Sequence, residues 1–308
     1  MKYTWMLLAA MFFALPCLYS QNIERISMGE DPSLHYLAVP PADSAVGALI
    51  LLPGFGQLSH SIFPETKLHN VAYTNQLLVA AIHYGHKMYV DKPTEAWLNA
   101  CIEDILERYQ IEKDKVVIGG FSAGGTIALR YTELSRQFPD RYPIQPAAVF
   151  AIDAPVDLFD IWAYCEREIK KDFSAVGVAE ARFVLDFLRK DLGGSPSERP
   201  QKYAEATPFQ RNVSSGMGNE QFLMDVPVRV YHDIDINWLL QNRRRDLFDT
   251  NAAPSSAMIN RLLLNGHPSA EIIISEKPGV RSNGQRHPHS WSIVDEVACV
   301  FWVLDQFN

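Results

Sequence analysis

The chain has 308 residues, 47% hydrophobic and 21% charged, with a formal net charge of −8. The apolar share is enough for one sizeable core. The acidic balance argues against nucleic acid as a partner, which calls for a basic surplus.

In chain order, Lys2 precedes an unbroken apolar run from Trp5 to Leu15, Pro16 breaks it, and small Ser20 suits cleavage before Gln21. This pattern predicts a secretory signal peptide over residues 1–20 and export to the periplasm or beyond. A membrane span needs about 20 apolar residues and this run is about half that, so no stable membrane anchor is expected. Pro16 in front of Cys17 also fits lipoprotein processing poorly.

From about residue 46 strands and helices alternate. Val46 to Leu52 is a continuous apolar run that ends in Pro53-Gly54-Phe55-Gly56, a buried strand followed by a loop. Leu77 to Ile82, Lys115 to Gly119, Ala147 to Asp153, Val226 to His232 and Ala270 to Ser275 read as further strands. Helical spacing appears over Thr94 to Tyr109, Ser122 to Gln137 and Ser290 to Phe307. Continuous hydrophobic strands separated by helices predict an α/β fold, with a mostly parallel central sheet covered on both faces. Residues 21–308 are expected to form one such domain, since α/β folds often run to about 250 residues or more as one unit.

Residues 157–225 break the rhythm. Leu158 to Lys171 and Ala179 to Leu192 are amphipathic helical pieces, and a polar Gly/Pro/Ser-rich segment runs on from Gly193 to Gly218. An insertion of this size without strands predicts a helical cap. Its aromatic residues (Phe159, Trp162, Tyr164, Phe183, Phe187) either line an acyl pocket or pack their own helices, and packing is the commoner reason for such a stripe.

Gly120-Phe121-Ser122-Ala123-Gly124 satisfies G-x-S-x-G and stands directly between a strand and a helix. The pattern is frequent by chance; its placement carries the reading. A serine on so tight a turn exposes its Oγ above the sheet, and the following helix turns its N-terminus toward the reacting atoms. Gly119 to Thr126 is also one residue short of a phosphate-binding loop, but Gly125 stands where the lysine is required. That alternative is rejected.

Acyl transfer also needs donors for an oxyanion. The loop after the first of these strands is the expected place, with the backbone N–H groups of Phe55 and Ala123 as candidates. The chain order nucleophile, acid, histidine restricts the rest. Of nine histidines, only His287 and His289 follow the last strand, at the entrance to the final helix. His289 is preferred as the base. The acid is sought after the strand ending at His232, where Asp235 is preferred, Asp233 is second and Asp157, after the previous strand, third. Arg243-Arg244-Arg245 reads as a solvated helix face. There is no C-x-x-C, no H-E-x-x-H and no calcium loop, so neither metal nor cofactor is expected. Cys101, Cys165 and Cys299 are expected as buried free thiols.

These residues resemble those of the α/β-hydrolase superfamily over about residues 46 to 306, with Gly120 to Gly124 similar to its nucleophile elbow. Ser122, Asp235 and His289 fall at its three catalytic places. The chain looks like secreted bacterial esterases and the catalytic domains of prolyl-oligopeptidase-like enzymes. It departs from them in Pro53-Gly54, where His-Gly is usual, and in Asp233, where glycine is common after the strand. The resemblance implies a serine hydrolase acting on a small-molecule, glycan or peptide ester or amide, carboxylic esters first. A peptidase or amidase and a non-catalytic binding protein are the alternatives.

Overall fold

The continuous apolar runs do form strands, and a computed structural model describes them for residues 21–29, 34–213 and 216–308. The signal segment expected over residues 1–20 lies outside the described residues. Eight strands make one sheet: β1 (Glu24–Ser27), β2 (His35–Val39), β3 (Gly47–Leu52), β4 (Leu77–Ile82), β5 (Val116–Phe121), β6 (Ala148–Ile152), β7 (Val228–His232) and β8 (Ala270–Ile274). Their order is β1-β2-β4-β3-β5-β6-β7-β8. β1–β2 and β2–β4 pair antiparallel, and every other pair is parallel.

The helices are α1 (Ile62–Glu65), α2 (Leu68–Thr74), α3 (Lys92–Tyr109), α4 (Ala123–Gln137), α5 (Leu158–Lys171), α6 (Ala175–Leu192), α7 (Pro200–Ala206), α8 (Ile236–Arg243), α9 (Ala252–Leu264) and α10 (Glu296–Asp305). Successive strand side chains alternate between faces. Ala48, Ile50 and Leu52 join Leu98, Ile127 and Met258 of α3, α4 and α9. Leu49 and Leu51 join Leu68, Ala72, Val300 and Val303 of α2 and α10 on the other face. That two-sided burial is why the central strands read as unbroken apolar runs.

Between β6 and β7 the chain contains α5, α6 and α7. Their apolar sides close a third cluster, with Trp162, Leu185, Leu188 and Tyr203 packed against Met88 and Ala123. α7 lies inside the segment that reads as a polar connection. β1 and β2 also lie outside the strands read from the sequence. β1 is half-exposed and β2 is five residues long, so neither gives a long apolar run.

Register does the positioning. Leu52 pairs with Gly120, Phe121 with Ile152 and Ile152 with Tyr231. Carried one residue further, this sets Ser122, Asp153 and His232 side by side at the C-terminal edge of the sheet. The loop at Gly54 lies on the other side of Ser122. This edge is where open parallel sheets collect their ligands.

Cys101, Cys165 and Cys299 are free and buried. No helix among the described residues is long and apolar enough to cross a membrane.

Candidate active site

Ser122 sits at the corner between β5 and α4 with φ 54° and ψ −125°. A non-glycine residue there stores roughly 1–3 kcal/mol of backbone strain, and the surroundings hold it in place. Its N–H donates to Ile152 O at 2.9 Å, and its carbonyl accepts from Gly125 N at 2.9 Å. The flanking glycines are steric necessities. A Cβ at Gly120 would lie 2.3 Å from the Gly124 backbone, and one at Gly124 would lie 2.2 Å from Leu52 O.

His289 approaches this serine from the loop before α10. Its Nε2 lies 3.0 Å from Ser122 Oγ, and its Nδ1 lies 2.6 Å from Asp153 Oδ2. The carboxylate fixes the tautomer: Nδ1 donates to Asp153, leaving Nε2 to accept from the serine hydroxyl. The imidazole also packs at a tilt against Phe121, ring centroids 4.4 Å apart. Its backbone N–H donates to His287 Nδ1 at 3.2 Å.

The carboxylate at His289 is therefore Asp153, the residue that immediately follows β6. Asp235 does not reach the histidine. Its Oδ1 caps α8 by accepting from Trp238 N at 2.9 Å, and its Oδ2 pairs with Arg286 at 3.0 Å. Asp233 is tied to Arg286 at 2.8 Å and to Gly279 N at 2.7 Å. Asp157 caps α5 and accepts from Arg211 N at 2.8 Å. Each carboxylate weighed from the sequence is thus occupied in holding a loop or a helix end. His287 likewise serves the His289 backbone and packs near Trp238, ring centroids 5.6 Å apart.

Asp153 is gripped on both sides. His232 Nδ1 meets its Oδ1 at 2.9 Å, its N–H donates to Tyr231 O at 2.8 Å, and Asn251 donates to its carbonyl at 2.8 Å. Burial works to raise its pKa, but the His289 charge and the hydrogen bonds from His232 and His289 outweigh it. The carboxyl is held well below the ordinary carboxylate range. His287 shifts by another route. Burial first, then the Arg281, His289 and Arg243 charges, bring it down to about 4.

The loop after β3 is braced rather than loose. Gln57 Oε1 accepts from Gly54 N at 3.0 Å and from Trp291 Nε1 at 3.0 Å, which ties it to the segment carrying His289. Tyr84 OH donates to Pro53 O at 2.5 Å. The N–H groups of Phe55 and Ala123 donate to no acceptor among the described residues. They are therefore available at the mouth of the site.

A cavity of about 850 Å³ opens over Ser122, beneath α5 and α6. One part is apolar, with Phe55, Met88, Ile161, Ala181, Phe183 and Val184. Phe55 packs edge-on against Phe183 at 5.6 Å and Phe187 at 5.1 Å. The cap aromatics thus divide. Phe183 and Tyr164 line the cavity, whereas Phe159 and Trp162 pack on Tyr203. Arg243 and Arg245 also line the cavity, contrary to the solvated face read from the sequence. α8 ends at Arg243, so the three arginines share no helix face.

The sequence matches no protein-family model and no curated protein. Its shape does match solved structures. Carboxyl esterase 2 of the mycorrhizal fungus Tuber melanosporum aligns over 94% of this chain and 88% of its own, with TM-score 0.60 and 14% identity. The thermophilic, thermostable carboxylesterase EstE1, cloned from a metagenomic library, aligns over 94% and 90%, with TM-score 0.60 and 13% identity. An esterase of the bacterial hormone-sensitive lipase family aligns over 94% and 85%, with TM-score 0.57 and 14% identity. At these identities the likeness establishes the fold.

Proposed function

We propose that this chain, which has the α/β-hydrolase fold, is a serine hydrolase of carboxylic esters. The observation that carries the reading is the unbroken chain Ser122 Oγ, His289 Nε2, His289 Nδ1, Asp153 Oδ2, with links of 3.0 and 2.6 Å. A serine hydroxyl is a weak nucleophile until a neighbouring base takes its proton. His289 is placed to do so, and Asp153 to hold the ring and stabilise the imidazolium that forms.

The steps follow from these positions. Ser122 Oγ attacks the ester carbonyl while its proton passes to His289 Nε2. The tetrahedral oxyanion is met by the N–H groups of Phe55 and Ala123, aided by the N-terminus of α4. Collapse breaks the C–O bond, and the departing alkoxide leaves as the alcohol with the proton from His289. The acyl group now sits on Ser122. Water attacks it with His289 again as base, and the carboxylic acid departs.

The apolar part of the cavity suits an acyl chain, and the named structural neighbours are esterases, which favours esters over amides. Ser122→Ala should lower hydrolysis of short p-nitrophenyl esters by at least about a thousandfold. Undiminished turnover would remove the reading.

A further inference from the structure

The apolar part of the cavity is matched by a basic one. Arg243, the last residue of α8, stacks on Trp238 with its guanidinium carbon 5.0 Å from the ring centre. Among the described residues its guanidinium donates one hydrogen bond, to the carbonyl of its neighbour Asn242 at 3.1 Å. No carboxylate lies within ion-pair distance of it among the described residues. Arg281 stands over Phe121, the residue before Ser122, at 5.3 Å. It forms an ion pair with Glu65 at 3.6 Å, too long for a hydrogen bond. Trp238, Arg243, Arg281, Glu65 and His287 all line the same cavity as Ser122.

The other cavity carboxylates are engaged elsewhere. Asp249 is held by Arg167 and Lys171, Asp233 by Arg286 and Asp157 by three backbone N–H groups. Asp160 faces Arg211 at 4.0 Å, and Glu180 interacts with Arg245. Arg243 therefore presents free donors, and Arg281 donors held only by a long ion pair to Glu65, into a partly desolvated site, where a charge-assisted hydrogen bond is strongest.

We propose that Trp238, Arg243 and Arg281 form an anion subsite, and that the ester hydrolysed at Ser122 carries a carboxylate. This rests on the serine-hydrolase reading and deepens it. A carboxylate fits better than a phosphate. The planar fork of arginine pairs with either, but the second charge of a phosphate monoester would face Glu65, whose buried Oε2 accepts no hydrogen bond.

The test compares matched substrates. Phenyl butyrate is set against 4-carboxyphenyl butyrate, which places the charge in the alcohol. 4-Nitrophenyl butyrate is set against the 4-nitrophenyl monoester of glutaric acid, which places it in the acyl group. In at least one pair the charged ester should be preferred by about tenfold in kcat/KM, the worth of one charge-assisted hydrogen bond. That ratio should fall toward one in Arg243→Gln and Arg281→Gln, recover in part in the lysine variants, and shrink as salt is raised. Each ratio compares two substrates on one protein sample, so partial unfolding of a variant does not move it. Hydrolysis of the neutral esters with no preference in either pair would overturn the subsite alone, as would a preference that both glutamine variants retain. Failure to hydrolyse all four esters would overturn the Ser122 reading beneath it.

Discussion

Asp153 has a backbone φ of 43° and accepts from two histidines, one on each carboxylate oxygen. The first property turns the side chain off the strand line and the second fixes its rotation, so His289 meets an oriented acceptor. Asp153→Asn keeps the shape but presents an amide, which removes the negative charge and permits the wrong tautomer. It should lower kcat on p-nitrophenyl butyrate by about 10⁴. Asp235→Asn should cost a few-fold at most, because asparagine caps a helix as well as aspartate does and Arg286 keeps Asp233. Steady-state kinetics on the two variants separates them. Ser122, His289 and the loop at Phe55 were legible because motif and chain order constrain them. The carboxylate that meets His289 was not, because chain order admits any aspartate between the serine and the histidine. The available clue was local: Asp153 immediately follows β6, the strand beside β5, and β7 ends in a buried histidine that needs a partner.

At the scale of elements, the corner between β5 and α4 depends on the absence of side chains where chain segments cross. Gly124→Ala would drive a methyl into Leu52 O and Pro53 O, at 2.2 and 2.4 Å. Overpacking against backbone costs about 1–3 kcal/mol or more, and here it also displaces the loop carrying Phe55. Urea denaturation should show the lost stability, with activity falling further than stability does. The central strands and α5 were readable because burial on both faces, or on one helical stripe, writes itself into the sequence. The final helix is shorter than the Ser290 to Phe307 run predicts. Apolar residues continue through Trp291 and Ile293, but Asp295 accepts from Ala298 N at 2.9 Å and restarts the chain as α10. Capping chemistry overrode the apolar run. α8 is legible only as the helix face expected at Arg243-Arg244-Arg245, and not in its bounds, because its eight residues of mixed polarity carry almost no apolar stripe.

Over the whole molecule, the charges around Ser122 and those that hold the loops share one cavity wall. His287 is lowered from 6.5 to about 4 by burial first and by the Arg281, His289 and Arg243 charges after it. Between those two values the unfolded chain binds more protons than the folded one, so stability falls as pH falls through that window. His69 and His83 are lowered too, burial again leading, and act in the same direction. Thermal melts from pH 7 to pH 4 should therefore show a declining Tm, and His287→Gln should flatten the decline. The two-sided sheet and the insertion above it could be read from the sequence. The meeting of α8, the loop before α10 and the cap around one cavity could not, because it is set by packing between segments far apart in the chain. The central claim is that the fold activates Ser122, and labelling by a fluorophosphonate probe, followed by intact mass, tests it most directly. The expected result is one adduct per chain, mapped to Ser122, formed rapidly in the wild type and in Asp235→Asn but slowly in Asp153→Asn. No adduct on folded protein, or equal rates in Asp153→Asn and the wild type, would contradict it.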